Sequence, residues 1–493
     1  MELDRDLQSI QEVRNLVARA KAAAAQLASF SQEQLNAICE AVAAACAREA
    51  EPLARMAVEE TGFGRWEDKV LKNQLGSTIV WEHIKSTRVV GILRDDPARK
   101  VIEIGVPMGV VAALIPSTNP TSTTMYKCLI ALKSGNAIIV SPHPGAKRCI
   151  LETFRIIEQA ARRAGAPEGA VGCVELTTME ATNALLTHRD VSIILATGGE
   201  AMVRAAYSSG NPALGVGPGN GPSFIEKSAD IPLAVQRIFA SKTFDNGTIC
   251  ASEQSIVVER CSESAVAAAC EAQGGYFLSE EESRRLASFL LRANGTMNPK
   301  IVGRTAQQIA DMAGIRIPEG TRVLLSRQTE VSRTNPYSRE KLCPVLAFYV
   351  AEDWEEACAL SISILQNEGC GHTMTIHSTN QQIIREFALK KPVSRLLVNT
   401  PGALGGVGAT TGLAPALTLG CGAVGGSATS DNIGPENLVN IRRVAWGLRE
   451  LEDLRQGAPA PAPSPAQQAG PLSPQDIEAI TRAVIAKLTA SNA

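Results

Sequence analysis

The chain has 493 residues, 48 basic and 50 acidic side chains for a net charge of −2, and 45% hydrophobic but only 4% aromatic residues. Near-neutrality excludes a protein built to coat nucleic acid or an anionic membrane, since neither would be drawn by a strong overall field. The apolar fraction, with 40 Gly to supply turns, excludes a disordered chain, and the length predicts about three domains.

Twelve cysteines are dilute in a chain of this length. Most stand in apolar patterns (Cys39, Cys46, Cys128, Cys149, Cys358), so reduced core thiols are expected rather than disulfides. No Cys-x-x-Cys pair occurs and the five histidines show no HExxH spacing, so no metal site is expected. The opening MELDRDLQSIQEVRN has no apolar core of a secretory signal, and no apolar run approaches the roughly 20 residues of a bilayer span. The expectation is a soluble cytoplasmic protein.

In chain order, Leu7, Ile10, Val13, Leu16 and Val17 recur at helical spacing, and a second helical pattern runs from Gln32 through Arg55. Between Arg88 and Pro107 the pattern predicts a hairpin. From there β-rich runs alternate with helical stretches: Gly109 to Ile115, Ala137 to Ser141, Val171 to Leu176 and Val191 to Thr197. This alternation predicts βαβ units of a parallel sheet. A second set follows at Gln254 to Glu259, Arg322 to Ser326, Pro344 to Val350, His372 to His377 and Arg395 to Thr400, with a domain boundary expected between residues 228 and 242. Val439 to Leu448 is a late strand which, with the hairpin, would form an arm for subunit pairing. Residues 457–471 carry five prolines in fifteen and predict an extended linker. Behind it Ser473 caps a helix with Ile477, Ile480, Val484, Ile485 and Leu488 on one stripe, a face that wants a partner.

Two glycine clusters, Gly217 to Gly221 and Gly405 to Gly412, invite a phosphate-loop reading, but there is no Walker motif and no GxGxxG opens the first βαβ unit. Taken alone, such clusters are more often turns. The informative segment is FDNGTICASEQS, Phe244 to Ser255, which sets a cysteine after a glycine loop and ahead of a strand. That placement suits a nucleophile, although on local evidence alone a buried structural thiol is the commoner case.

This segment, together with IPSTNP (Ile115 to Pro120), LATGGEAMV (Leu195 to Val203) and EKLCPVLAF (Glu340 to Phe348), resembles the aldehyde dehydrogenase superfamily, over roughly Ile10 to Leu454. The resemblance implies an α/β fold of two Rossmann-type domains with a β oligomerisation arm, followed here by the tether and amphipathic helix. It implies that Cys250 is the nucleophile and that Asn119 and the Cys250 N–H hold the oxyanion, such donors contributing about 3 to 4 kcal/mol each. It further implies that Glu340 holds the nicotinamide ribose and that Thr197, Gly198 and Gly199 form the turn at the pyrophosphate of NAD.

Hydrolytic members carry a glutamate in an E-L-G-G segment that activates water. The matching stretch here, Leu214 to Pro222 with Gly217 within it, has no acid. In this the chain resembles the CoA-acylating members, which pass the acyl group from cysteine to coenzyme A. Ser141 and Pro142 stand where lysine and acid usually hold the adenosine ribose, which fits a looser pocket accepting NAD and coenzyme A in turn. His372, in a Gly-His-Thr that the acylating subfamily shares, is either the base that deprotonates or positions the CoA thiol, or a structural residue.

The expected organisation is therefore 1–235 for NAD and CoA binding with the 88–107 arm, 236–430 for the catalytic cysteine, and 431–456 as return segment and oligomerisation strand. Residues 457–472 form the linker and 473–493 a helix similar to the encapsulation peptides of bacterial microcompartments. The expected activity is oxidation of propionaldehyde to propionyl-CoA, with acetaldehyde as the alternative substrate and hydrolytic action a remoter one. The expected partners are a short-chain aldehyde, shell or cargo proteins, and further copies of the chain as a dimer or tetramer. No second catalytic region follows Leu454, so the bifunctional aldehyde–alcohol arrangement is not expected.

Overall fold

The computed structural model describes residues 4–456. The predicted linker and C-terminal helix lie outside the described residues. The chain forms two compact units, one holding residues up to Val90 with Val106–Asn440, the other Gly91–Gly105 with the described residues after Asn440.

In the larger unit the β-branched runs form two all-parallel sheets. The five-stranded sheet runs Val171–Cys173, Ala137–Pro142, Val110–Ile115, Ile193–Ala196, Ala213–Gly215. Its central strands, Ala137–Pro142 and Val110–Ile115, are buried at every position, as expected where both faces of a parallel sheet are covered. The seven-stranded sheet runs Gly275–Phe277, Val323–Arg327, Val345–Ala351, Ser255–Glu259, Pro222–Ile225, Gly371–His377, Val393–Val398. The chain passes from one sheet to the other between Gly215 and Pro222. Strand Pro222–Ile225 therefore pairs in the second sheet, although the sequence reading put its residues in the first domain. At four residues, with a proline at its start, it carries too little pattern to be seen in the sequence.

The expected N-terminal helices are Arg5–Leu27 and Gln32–Arg48, the latter opened by a capping box of Ser31 and Gln34. The pattern read as one helix to Arg55 breaks at Glu49, and Ala50–Thr61 follows as a separate helix. Helix Trp66–Gln74 then runs into a π-helical turn, Leu75–Ile79. There the chain passes so near the helix Pro120–Lys133 that a Cβ at Gly76 would lie 2.4 Å from the Ser122 carbonyl oxygen. Buried lysines lace the unit together. Lys127 donates to the carbonyls of Leu114 and Leu195 at 2.7 and 2.9 Å, tying two neighbouring strands just before the Thr197 turn. Lys242 donates to Gln254 Oε1 and the Lys341 carbonyl at 2.9 and 2.8 Å, which joins the segments that carry Cys250 and Glu340.

In the smaller unit, Gly91–Asp96 and Val101–Pro107 pair antiparallel as the predicted hairpin, and Val439–Ala445 completes a three-stranded sheet. Among the described residues no helix is long and apolar enough to cross a membrane.

Candidate active site

Cys250 sits between a short 3₁₀ turn, Phe244–Gly247, and the strand Ser255–Glu259. Two successive non-glycine residues of that turn, Asp245 and Asn246, are left-handed, with φ of 48° and 51°. Such a conformation costs about 1–2 kcal/mol per residue, so it persists only where the surroundings fix it. Here Asp245 Oδ1 accepts from the Arg65 N–H at 2.8 Å, the Asp245 N–H donates to Asp68 at 2.8 Å, and Asn246 donates to the Gly303 carbonyl at 2.9 Å.

The structure gathers the expected residues around one cavity of about 200 Å³, lined by Cys250, Asn119, Glu340, Gly217 and the Thr197–Gly199 turn among others. A larger cavity of about 470 Å³ adjoins it, lined by Ser141, Pro142 and again by Thr197, Gly198 and Gly199. The pyrophosphate turn implied by the sequence is thus the rim shared by both. Gly199 is the N-cap of helix Glu200–Tyr207, with no side chain on the cap, and a Cβ built there would meet nothing within 4 Å. That opening and the helix terminus suit a phosphate group. The residues present therefore fit a phosphate-bearing nucleotide at the turn, with Ser141 and Pro142 lining the larger cavity beside it.

His372 lies outside the residues lining these cavities yet meets the nucleophile from behind: its Nε2 is 3.2 Å from Cys250 Sγ and its Nδ1 is 2.9 Å from Thr373 Oγ1. Arg395 fixes this arrangement, donating to Thr373 Oγ1 at 3.2 Å and to the His372 carbonyl at 3.1 Å. Burial, with the Arg395 cation adding to it, drives the imidazole down to about 3, so it is neutral at physiological pH. Burial likewise pushes the Cys250 thiol up to about 12, reinforced by the carboxyl of Glu340.

Glu340 Oε1 accepts from the Gly219 N–H at 2.8 Å, and the Glu340 N–H donates to Glu368 at 2.6 Å. Its own carboxyl is raised to about 8, mainly by burial, against the pull of the Gly219 amide. Gly219 belongs to the acid-free Leu214–Pro222 segment. A Cβ there would fall 1.8 Å from the Cys250 carbonyl oxygen, so backbone packs on backbone beside the nucleophile.

The sequence reading missed one cluster. Lys69 and Lys72 project inward from helix Trp66–Gln74 at 2% exposure each, while Leu71 on the same helix is 54% exposed. Both ammonium groups contact the buried Asp245 carboxylate. Lys72 also donates to Asn119 Oδ1 at 2.6 Å and to Thr248 Oγ1 at 2.8 Å. The residual signal in the sequence is two lysines three apart on a helix whose opposite face shows an unexplained leucine.

Residues 6–274 match the model of the aldehyde dehydrogenase family. The chain belongs to this family. Over 442 residues it is 44% identical to the bifunctional aldehyde-alcohol dehydrogenase AdhE of Escherichia coli K12, covering 89% of this chain and 50% of that protein. It thus spans about half the length of that relative. A succinate-semialdehyde dehydrogenase (acetylating) from Clostridium kluyveri is 39% identical over 440 residues, 89% of this chain and 97% of the relative.

Among solved structures, a probable aldehyde dehydrogenase from Listeria monocytogenes EGD-e superposes with TM-score 0.91 at 61% identity, covering 92% of this chain and all (100%) of that one. A propionaldehyde dehydrogenase from the fucose utilisation bacterial microcompartment of Clostridium phytofermentans gives TM-score 0.81 at 26% identity, over 88% and 97% of the two chains. The aldehyde dehydrogenase fold expected from the sequence is the fold observed.

Proposed function

We propose that this aldehyde dehydrogenase is CoA-acylating, converting a short aldehyde, NAD and coenzyme A into an acyl-CoA and NADH through a thioester on Cys250. The observation that carries the reading is the wall beside Cys250, where the Leu214–Pro222 segment presents Gly217 and Pro218 to the cavity, packs Gly219 against the nucleophile and carries no acid of its own, while the carboxyl of Glu340 in the same cavity is engaged by the Gly219 N–H. The acetylating relative from Clostridium kluyveri supports it.

In the tautomer that donates from Nδ1 to the Thr373 hydroxyl, His372 Nε2 is free to take the Cys250 proton as sulfur attacks the aldehyde carbon. Asn119 and the Cys250 N–H stabilise the resulting oxyanion. NAD, when bound, supplies the hydride acceptor, and collapse of the oxyanion as hydride leaves gives the Cys250 thioester. His372 gives up the Cys250 proton to solvent; the CoA thiol then loses its own to a base, for which the freed His372 is the candidate, and as the CoA sulfur displaces Cys250 this proton passes to the leaving thiolate. Thr197, Gly198, Gly199, Ser141, Pro142 and Glu340 would hold the nucleotide portions, NAD first and coenzyme A after it, because the two cavities share a single rim. Sustained NADH formation that requires CoA tests this reading. Equal steady-state rates with and without CoA would mean hydrolysis.

Propionaldehyde is the proposed substrate, supported by the Clostridium phytofermentans structure. Acetaldehyde is a second reading, since the cavity of about 200 Å³ at Cys250 admits either aldehyde. One methylene is worth about 1–3 kcal/mol, so the ratio of kcat/KM values on the two aldehydes decides between them. We also propose that residues 457–493 address the enzyme to a microcompartment shell or its cargo, which the Pro/Ala composition and apolar stripe of that segment support. A homo-oligomer is proposed from the smaller unit, where Ile441, Val444, Trp446 and Leu448 are exposed; light scattering on the purified enzyme tests it.

A further inference from the structure

The helix Trp66–Gln74 inverts the usual rule for a surface helix, burying two cations and exposing a leucine. Burying an ammonium without a partner is costly, so two of them beside one carboxylate require a reason. Their hydrogen bonds supply it. Lys69 spends its contacts on Asp245 at 2.9 Å and the Thr118 carbonyl at 3.0 Å. Lys72 reaches Asp245 too, but its remaining bonds go to Asn119 Oδ1 and Thr248 Oγ1, and Thr248 lies two residues before Cys250. The Thr248 hydroxyl in turn donates to Asp245 Oδ2 at 2.7 Å.

We propose that Lys72 is a positioning residue for the oxyanion site, orienting and polarising the Asn119 amide while Asp245 ties it to the nucleophile loop. An ammonium carries only donors, so the amide oxygen must face it and the amide nitrogen must face away. Asn119 Nδ2 gives one hydrogen to Thr118 Oγ1 at 3.2 Å, which leaves its second for the reacting oxygen. A charged donor on the amide oxygen draws electron density out of the amide and strengthens that second N–H as a donor. Asp245 does not cancel this charge alone because Lys69 shares the same carboxylate; burial opposes the carboxylate's ionisation, yet the two lysines outweigh it and hold its pKa below the ordinary value. The inference rests on the reading of Asn119 as an oxyanion donor.

The test is the pre-steady-state burst of NADH from the full-length enzyme with propionaldehyde and NAD, in Lys72→Met, Lys69→Met, Asn119→Ala and the double variant Lys72→Met/Asn119→Ala. Removing an oxyanion donor typically costs about 10²–10³ in rate, and loss of its positioning a part of that, so Lys72→Met is expected to slow the burst about 10- to 100-fold with KM for NAD unchanged. Lys69 still neutralises Asp245 in that variant, which keeps the loop folded. Should Met fail to fold, Lys72→Gln carries the same comparison. Lys69→Met removes the same charge without touching Asn119 and is expected to show a much smaller loss. In the Asn119→Ala background Lys72→Met is expected to cost little more. Equal losses in the two lysine variants, or losses that multiply in the double variant, overturn the inference. A slow burst in Asn119→Ala with a normal one in Lys72→Met sinks the inference alone, whereas a normal burst in Asn119→Ala sinks the assignment of Asn119 as well.

Discussion

Nε2 of His372 stands 3.2 Å from Sγ of Cys250, although 122 residues separate them in the chain. The contact is neutral on both sides, because burial drives the imidazole down to about 3 and the thiol up to about 12. A resting thiolate–imidazolium pair, of the kind that plateaus in reactivity below neutral pH, is not the state of the free enzyme.

Alkylation of Cys250 by iodoacetamide in the absence of substrate is therefore expected to accelerate with pH through 9 without levelling off. Residual activity after timed exposure measures it. A plateau between pH 6 and 7 would show that the ion pair exists after all. An imidazole held near 3 is poorly matched to a thiol near 12, so His372→Ala should slow thioester formation by at most about 10²-fold, the low end of a general base's reach; an unchanged burst would assign the histidine to structure or to the CoA step alone.

Gly219→Ala sets a methyl group 1.8 Å from the Cys250 carbonyl oxygen, a distance that backbone must move to relieve. Displacing a nucleophile by an ångström costs on the order of 10²-fold in rate. We expect kcat to fall by about that factor while the enzyme remains folded, as judged by circular dichroism. Retention of wild-type kcat would mean that the loop yields without moving the sulfur.

Glu340 has a carboxyl raised from 4.5 to about 8, chiefly by burial. Between those two values the native state keeps a proton that the unfolded chain has released, so the group's contribution to stability declines as pH rises through the window. Glu340→Gln has no such decline. The difference in Tm between variant and wild type should shift in favour of the variant from pH 5 to pH 8. A pH-independent difference would refute the raised value.

Every residue placed at the site, from Arg65 to Arg395, belongs to the larger unit. Deleting residues 457–493 should accordingly leave kcat and KM for aldehyde, NAD and CoA unchanged while abolishing co-sedimentation with microcompartment shells. Equal recovery with shells before and after the deletion would remove the targeting proposal.

Much of this was legible from residue type and order. The buried parallel strands announce themselves as β-branched runs, and Cys250, Asn119 and Glu340 stand in segments singled out by their resemblance to the family, which the fold brings to one cavity. What escaped is of two physical kinds. Short strands such as Ala213–Gly215 and Gly275–Phe277 take their identity from their neighbours in the sheet, since three residues carry no period of their own. Lys69 and Lys72 escaped because a lysine on a helix reads as solvated unless something buried awaits it, and that something, Asp245, comes from a left-handed turn more than 170 residues later. The direct contact of His372 with sulfur is likewise a product of strand order, set when Gly371–His377 pairs beside Pro222–Ile225.

Lys69, Lys72, Lys127, Lys242 and Lys341 are each 2% exposed or less, and all donate hydrogen bonds to fixed protein oxygens. An enzyme that holds its acyl group as one thioester and releases it as another makes a reagent that acylates free amines. With their amines sealed away and already engaged, these lysines are withheld from that side reaction. Lysines such as Lys21, Lys85 and Lys390 stay half exposed or more, so such modification is confined to the surface and does not reach the amines that tie the site together.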